Sequence, residues 1–511
     1  MVTPLLALVT LLALTTVPLT TAAQETPRMG GVLKAAMIGE PPTLDVHATT
    51  ATISWQIMWN VYESLYTLDR NYEPQPMLAD NHTVANEGRR YTIVLRRGVK
   101  FHNGKELTSA DAVASVTRWV KEHTTGKTIG KHIEAIEAAD KYTLVVHLKA
   151  PSSSLLYALA SNTAAIYPKE VVDAATDQIK QFIGTGPYRF VEHKPDRHIK
   201  LTRFKEYAAR SEPPNGFGGK RVAYFDEILF LPTPDMAVRL AGVETGDYHF
   251  AQTIKQDQYD RVKKLPQVEP AITKFGFWPT AVLNHKQGLM TNKKLRQAFQ
   301  AALDMEPIMA AATGNKALYR LDGSLFQREL VWNSSAGVEA YDQKNKDKAR
   351  RLLKEAGYTG QPVRWLTTQE YEHMYKTALV SKQQLEEVGF KIDLQVVDWA
   401  TLVQRRGKPE LHDVFSTGFP VNFDPALFVP LLCDWPGWWC HEEKDRLLVE
   451  LARESDVKKR KAIVDRIQTV FYEDVGRIKF GDAYNMHVVR KELRGEFKTA
   501  PYLHFWNAWL Q

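Results

Sequence analysis

Hydrophobic and polar positions alternate with two different periods along this chain, and the switches between them mark its elements. Tyr91, Ile93 and Leu95 alternate with Thr92, Val94 and Arg96, the period of a half-buried strand. Gly98 interrupts the run, Val99 and Phe101 resume it, and His102-Asn103-Gly104 supplies turn chemistry. Thr108 followed by Asp111 then reads as a capping box opening a helix with Val113, Val116 and Val120 on one face. Elsewhere in the first half, Gly30–Ala36, Leu144–Leu148 and Phe225–Leu231 read as strands, and Ile53–Leu68, Leu155–Leu159 and Met236–Gly246 as helices.

The second half repeats helix, glycine stop and strand. Thr291 caps a helix carrying Leu295, Ala298, Phe299 and Ala302, and another starts after Asp304. Ala349, Leu352, Leu353 and Ala356 form a helix stopped by Gly357; Met374, Ala378, Leu385 and Val388 form one stopped by Gly389. Ile392, Leu394 and Val396 then alternate as a strand, and Asp456–Val475 returns to helical spacing. This order predicts an α/β architecture with a mainly parallel sheet in the second half.

Composition narrows the class. At 511 residues the chain can bury two or three cores, and 44% hydrophobic with 24% charged residues belongs to a soluble globular protein. The net charge of +7 permits anionic partners, but the densest basic run, Lys458-Lys459-Arg460-Lys461, lies on a predicted helix and reads as a solvated face, so no nucleic-acid partner is expected. Leu5–Leu19 is apolar and is followed by Thr20-Thr21-Ala22-Ala23, which reads as a secretory signal peptide over residues 1–23, although no Lys or Arg precedes the apolar core. No later stretch is apolar enough for a transmembrane helix. In an exported chain, Cys433 and Cys440 flanking a Pro-Gly turn predict a disulfide; metal binding is the weaker reading, since only His441 is adjacent.

Catalytic signatures are missing. There is no Gly-x-Ser-x-Gly elbow, and His441-Glu442-Glu443 is not H-E-x-x-H because Asp445 stands where the second histidine would be. Gly184-Thr185-Gly186-Pro187-Tyr188 lacks the Lys-Ser/Thr and following helix of a phosphate loop. No cofactor, metal or catalytic residue is expected.

Three runs in order, LRRGVKFHNG from Leu95, GTGPYRF from Gly184 and LRQAFQAALDMEPI from Leu295, closely resemble the family 5 extracytoplasmic solute-binding proteins, the peptide, nickel and opine receptors of ABC importers. The resemblance implies a two-lobe α/β periplasmic binding protein of type II, large peptide-binding class, with a subdomain (about 71–184) inserted in lobe I. Lobe I would span 28–275 and lobe II 276–480, with 481–511 returning to lobe I and crossings near Phe275–Leu283 and Lys479–Asn485. It implies a periplasmic, monomeric receptor that passes a peptide or peptide-like solute to a membrane permease by hinge closure. An opine-like or sugar-amino-acid conjugate is the alternative; nickel or haem transport, a periplasmic hydrolase and a chaperone-like peptide binder stand behind it.

For the site, the resemblance implies a ligand-contacting role for Trp399, at a strand end, with packing as the alternative, and puts Asp45 of the Pro-Thr-Leu-Asp loop near the cleft. Trp435, Trp438 and Trp439 sit on the proposed disulfide loop and would form a rigid aromatic platform, or bury the loop against itself. In the dipeptide receptors of the family an Asp holds the ligand's ammonium and an Arg its carboxylate. An ungapped count from Trp399 puts Val421 and Thr368 at those positions, so both ionic anchors are replaced. Asp424 could substitute for the first anchor, although Asp424-Pro425 matches a structural acidic-Pro pair. Arg405 and Arg406 could meet a carboxylate bidentately, or be surface charge.

Overall fold

The computed structural model describes residues 26–511. The expected leader, residues 1–23, lies outside them. No described helix is long and apolar enough to cross a membrane.

A twelve-stranded mixed sheet is continuous through both lobes. On the lobe I side, Val32–Met37 pairs in parallel with Glu227–Pro232 and Phe250–Ala251, and His198–Arg203 and Tyr188–Lys194 extend the edge antiparallel. On the lobe II side, Pro362–Thr367 lies between Lys391–Val396 and Val414–Pro420, all three parallel. Two long antiparallel strands, Val268–Leu283 and Asp482–Arg490, join the two sides. The first of them pairs Val268–Thr273 with Asn485–Arg490; its register then shifts, and Phe277–Leu283 pairs with Val414–Pro420. The second-half strands are thus parallel as expected, and the sheet as a whole is mixed because each crossing strand enters antiparallel to its neighbour. The inserted subdomain is a four-stranded antiparallel sheet, Ala79–Ala85, Arg90–Leu95, Thr143–Leu148 and Ile133–Asp140, with the Ser109–Glu122 helix packed on it.

The capping box forms: the Asp111 carboxylate accepts from the Thr108 amide at 2.8 Å, and also from the Lys169 amide at 2.7 Å. Phe101 and Val99 are buried but form no strand, since Gly98 (φ 72°) and the Asn103-Gly104 turn leave only an isolated bridge between Lys100 and Glu106. The helix expected over Ile53–Leu68 stops early, at Met58, and Tyr66–Leu68 is a strand paired with Pro74–Pro76. Two contacts account for this. Asn60 turns its amide back onto the Gln56 and Ile57 carbonyls, and the Val61 carbonyl accepts the Gly186 amide at 2.9 Å. The approach requires glycine: a Cβ at Gly184 or Gly186 would stand 2.1 or 2.7 Å from the Val61 oxygen. At the Lys293–Ala302 helix the cap is Asn292, accepting from the Lys294 amide at 3.0 Å, whereas the Thr291 hydroxyl bonds the Gly288 carbonyl.

Burial pushes several histidines of the first lobe down from 6.5: His47 to about 3, and His102, His123, His487 and His504 to about 4. Each stays neutral in the folded protein while the unfolded chain takes up a proton below about pH 6.5, so the unfolded state binds more protons and stability falls as the pH falls. The denaturant midpoint is expected to drop steadily from pH 7 to pH 4.5. A midpoint flat over that window would contradict the burial of these rings.

Candidate functional site

Three parallel strands end side by side on one edge of lobe II, and the residues beyond them carry the candidate chemistry. Thr368 follows Pro362–Thr367, Trp399 follows Lys391–Val396, and Val421 follows Val414–Pro420. Carboxyl ends of parallel strands are where open α/β sheets bind ligands, because the loops there diverge. Thr368 and Val421 are both buried and bring no charge to this edge.

Trp399 opens a two-turn helix, Trp399–Arg406, which Asp398 caps by accepting from the Thr401 amide at 2.9 Å. Its half-buried ring meets Tyr371 edge-on at 4.8 Å. At the far end of the helix Arg406 reaches back, as long helical side chains do. Its guanidinium carbon lies 5.5 Å from the ring centroids of both Trp399 and Trp435. Arg405 is half-exposed beside it.

Trp435 is carried by the loop that the Cys433–Cys440 disulfide closes, with Cα atoms 4.5 Å apart. Its ring packs on Phe419 at 5.1 Å and Phe415 at 5.8 Å. Arg477, fully buried, stands 4.8 Å from the same ring. It donates through Nε to the Pro430 carbonyl and through Nη1 to that of Pro436, while Nη2 has no partner among the described residues. Burial alone lowers its pKa to about 9.

The other two tryptophans leave this cluster, and the three do not form one platform. Gly437 (φ 106°) and Trp438 (φ 47°) both take left-handed backbone, so the loop reverses between the rings. Trp438 stacks on His412, under Lys286, and lines a cavity of about 530 Å3 with His285, Arg296 and Asp474 at the opposite end of the Val414–Pro420 strand. Trp439 is wholly buried, donates to Asp474 at 2.9 Å and meets Phe471 edge-on.

Two acids considered for ligand contact are committed inside the protein. Asp424 is buried, paired with buried Arg460, and accepts from the Ala426 amide at 3.0 Å. Asp45 is buried in lobe I, where Arg118 meets both its oxygens at 3.1 and 2.6 Å and the Ile179 and His47 amides donate at 2.9 and 3.0 Å. A carboxylate with that many partners has no lone pair left for a solute, so Asp45 holds its own lobe together.

Other contacts join segments far apart in the chain. Tyr72 of the insertion stacks on Phe423 at 5.0 Å, and Phe423 meets Tyr502 edge-on at 5.6 Å. Ser153 donates its amide to the Ala452 carbonyl at 2.9 Å. His373, half-buried against Phe277 at 4.6 Å, has no partner for Nε2 among the described residues and is pushed by burial to about 4, so it is neutral. Sequence reasoning missed Tyr72, Tyr371, His373, Phe423 and Arg477. Arg477 reads as an ordinary post-helix cation, and the rings stand in turns without periodicity. Among the described residues, no group of three His, Cys, Asp or Glu side chains is placed to hold a metal ion.

The family model for bacterial extracellular solute-binding proteins, family 5 Middle, matches residues 73–438. A probable peptide ABC transporter periplasmic-binding protein of Sinorhizobium fredii is 27% identical over 471 residues, 88% of this chain and 88% of its own. A glutathione-binding protein of Salmonella choleraesuis is 26% identical over 453 residues, 84% of this chain and 85% of its own. Among solved structures, the ABC transporter substrate binding protein CtaP of Listeria monocytogenes superposes with a TM-score of 0.82 at 23% identity, covering 94% of this chain and all of its own (100%).

Proposed function

The chain belongs to the family 5 bacterial extracellular solute-binding proteins, and from that premise we propose that it is the receptor of an ABC importer for a peptide or peptide-like solute. The observation that carries the reading is the convergence of three parallel strand ends, Thr368, Trp399 and Val421, beneath contacts that join the lobes at Tyr72–Phe423 and Ser153–Ala452. A solute held there is desolvated from both sides, and its contacts with the second lobe reward closure. The lobes, 28–275 and 276–480 with 481–511 returning, turn about the two crossing strands, as hinge closure of two-lobe receptors requires. The protein catalyses no reaction, works in the periplasm as a monomer and hands its solute to a membrane permease. Related proteins whose names specify peptide and glutathione substrates support the peptide class.

An opine-like or sugar-amino-acid conjugate is the second reading, favoured by a specific feature: the aromatic wall at Trp399 and Tyr371 stands where Thr368 and Val421 bring no ion. Mass spectrometry of solute co-purifying under native conditions separates the two readings. Trp399→Ala is expected to weaken binding of that solute about 10- to 100-fold, about 1.4–2.7 kcal/mol. Unchanged affinity on calorimetric titration would take Trp399 out of the site.

A further inference from the structure

The Cys433–Cys440 disulfide is open to solvent. Cys440 is exposed, Cys433 is half-buried, and both line the cavity of about 530 Å3 that also holds Trp438 and Lys286. The loop that the bond closes is anchored unevenly. Its second half is fixed without help from the sulfurs: the Gly437 carbonyl accepts from the His285 amide at 2.9 Å, and wholly buried Trp439 donates to Asp474 at 2.9 Å. Its first half carries Trp435. That half is tied to the anchored one by a turn bond, from the Trp438 amide to the Trp435 carbonyl at 2.8 Å, and by the disulfide. The turn is made in left-handed backbone, φ 106° at Gly437 and 47° at Trp438, and a tryptophan takes that conformation only under constraint.

What the loop holds in place gives the bond a consequence. Trp435 packs on Phe415 and Phe419 and stands 4.8 Å from the Arg477 guanidinium. Arg477 is wholly buried, takes the carbonyls of Pro430 and Pro436 on either side of Cys433, and pairs with no acid among the described residues. A buried cation so placed stays only while those carbonyls are presented to it. Arg477 leads directly into Ile478–Lys479, which pairs with Thr280 and Ala281 of the long crossing strand. The disulfide therefore fixes together a ring of the Trp399–Trp435 cluster and a guanidinium at the foot of a crossing strand.

We propose that this disulfide is a thiol-exchange site, and that a dithiol reductant acting there switches the receptor to a form that binds solute weakly. The inference rests on the receptor reading and adds its control. A thiolate of the reductant attacks the exposed Cys440 sulfur; the S–S bond breaks, and Cys433 leaves as a thiolate and takes up a proton. The second thiol of the reductant then displaces Cys440 from the mixed disulfide. The reductant ends as a disulfide and the protein holds two thiols, having gained both electrons and both protons. The first half of the loop is then free to relax the turn at Trp438, and Trp435 and Arg477 lose their fixed positions.

The test treats the mature protein with dithiothreitol in the absence of denaturant, counts thiols by alkylation and mass spectrometry, and measures retention of a pooled tripeptide library by native mass spectrometry. The chain has no other cysteine to confuse the count. Both thiols are expected to appear while the far-UV circular dichroism is unchanged. Retention should fall about 10-fold, as when the binding-competent fraction drops to about a tenth, and return on reoxidation. Cys433→Ser with Cys440→Ser should bind at the weak level with or without the reductant. A bond that resists dithiothreitol until the protein unfolds, a reduced protein that loses its far-UV signal, or retention equal in the two states overturns the switch and leaves the receptor standing with a structural staple. Retention of no tripeptide by the oxidised protein overturns the peptide reading instead, and tryptophan emission then decides the switch. A shift on reduction that is present in wild type and missing in Trp435→Phe upholds it; oxidised and reduced spectra that coincide in wild type overturn it.

Discussion

Asp45→Ala is expected to lower the unfolding free energy by about 3–5 kcal/mol, because it strands Arg118 as an uncompensated buried charge. The carboxylate ties three segments together: its own loop, the insertion helix through Arg118, and the chain at Ile179. Removing it leaves a guanidinium and two amides to be satisfied in a site from which water is excluded. The effect also has a pH signature. Burial on its own would raise the Asp45 carboxyl, but the Arg118 hydrogen bond, the Ile179 amide and the Arg118 charge outweigh it, and the net shift is below 3.8. A carboxyl lowered in the folded state stabilises fully above its unfolded pKa, and that stabilisation is lost as pH falls through the folded one. The stability curves of wild type and Asp45→Ala, measured by denaturant titration, should therefore run parallel above about pH 4 and converge below it. Parallel curves throughout, or a loss under about 1 kcal/mol, would mean that the pair is solvated. Affinity for the solute should not change in the folded fraction.

Asp45 also shows what the sequence made legible and what it hid. Local patterns were readable wherever one element decides its own structure: the Thr108–Asp111 capping box, the Gly246 stop after Met236–Thr245, and the alternation of Tyr91, Ile93 and Leu95 all have their causes within a few residues. The errors came where a distant segment decides. Val61 is not helical because the Gly186 amide, more than a hundred residues away, takes its carbonyl, and Gly184 leaves room for the approach. Of the candidate site, Trp399 could be placed from the strand before it. The divergence of Trp435, Trp438 and Trp439 could not, because two consecutive left-handed residues turn the loop and only Gly437 announces itself. Nor does any sequence feature distinguish Arg406, without an acid, from Arg460, which has one. Both end up beside tryptophan, and the difference is the position of Asp424 in three dimensions.

That contrast sets the second large effect. Asp424→Ala is expected to cost about 3–5 kcal/mol of stability, since Arg460 is buried against Trp332 and has no other acid among the described residues. If Asp424 were instead the solute's ammonium anchor, the same substitution would abolish binding with little loss of stability. The pair can be exchanged as a unit: Asp424→Leu with Arg460→Met replaces two buried charges by apolar volume and should recover most of the lost stability, as buried ion pairs replaced whole commonly do. The double variant decides between the roles, because it restores packing without restoring charge. Recovered stability together with wild-type solute affinity, measured by urea titration and calorimetry on the same preparation, assigns Asp424 to the scaffold. Recovered stability with binding lost would give it to the ligand, and would return to this receptor an ionic anchor three residues from where Val421 stands.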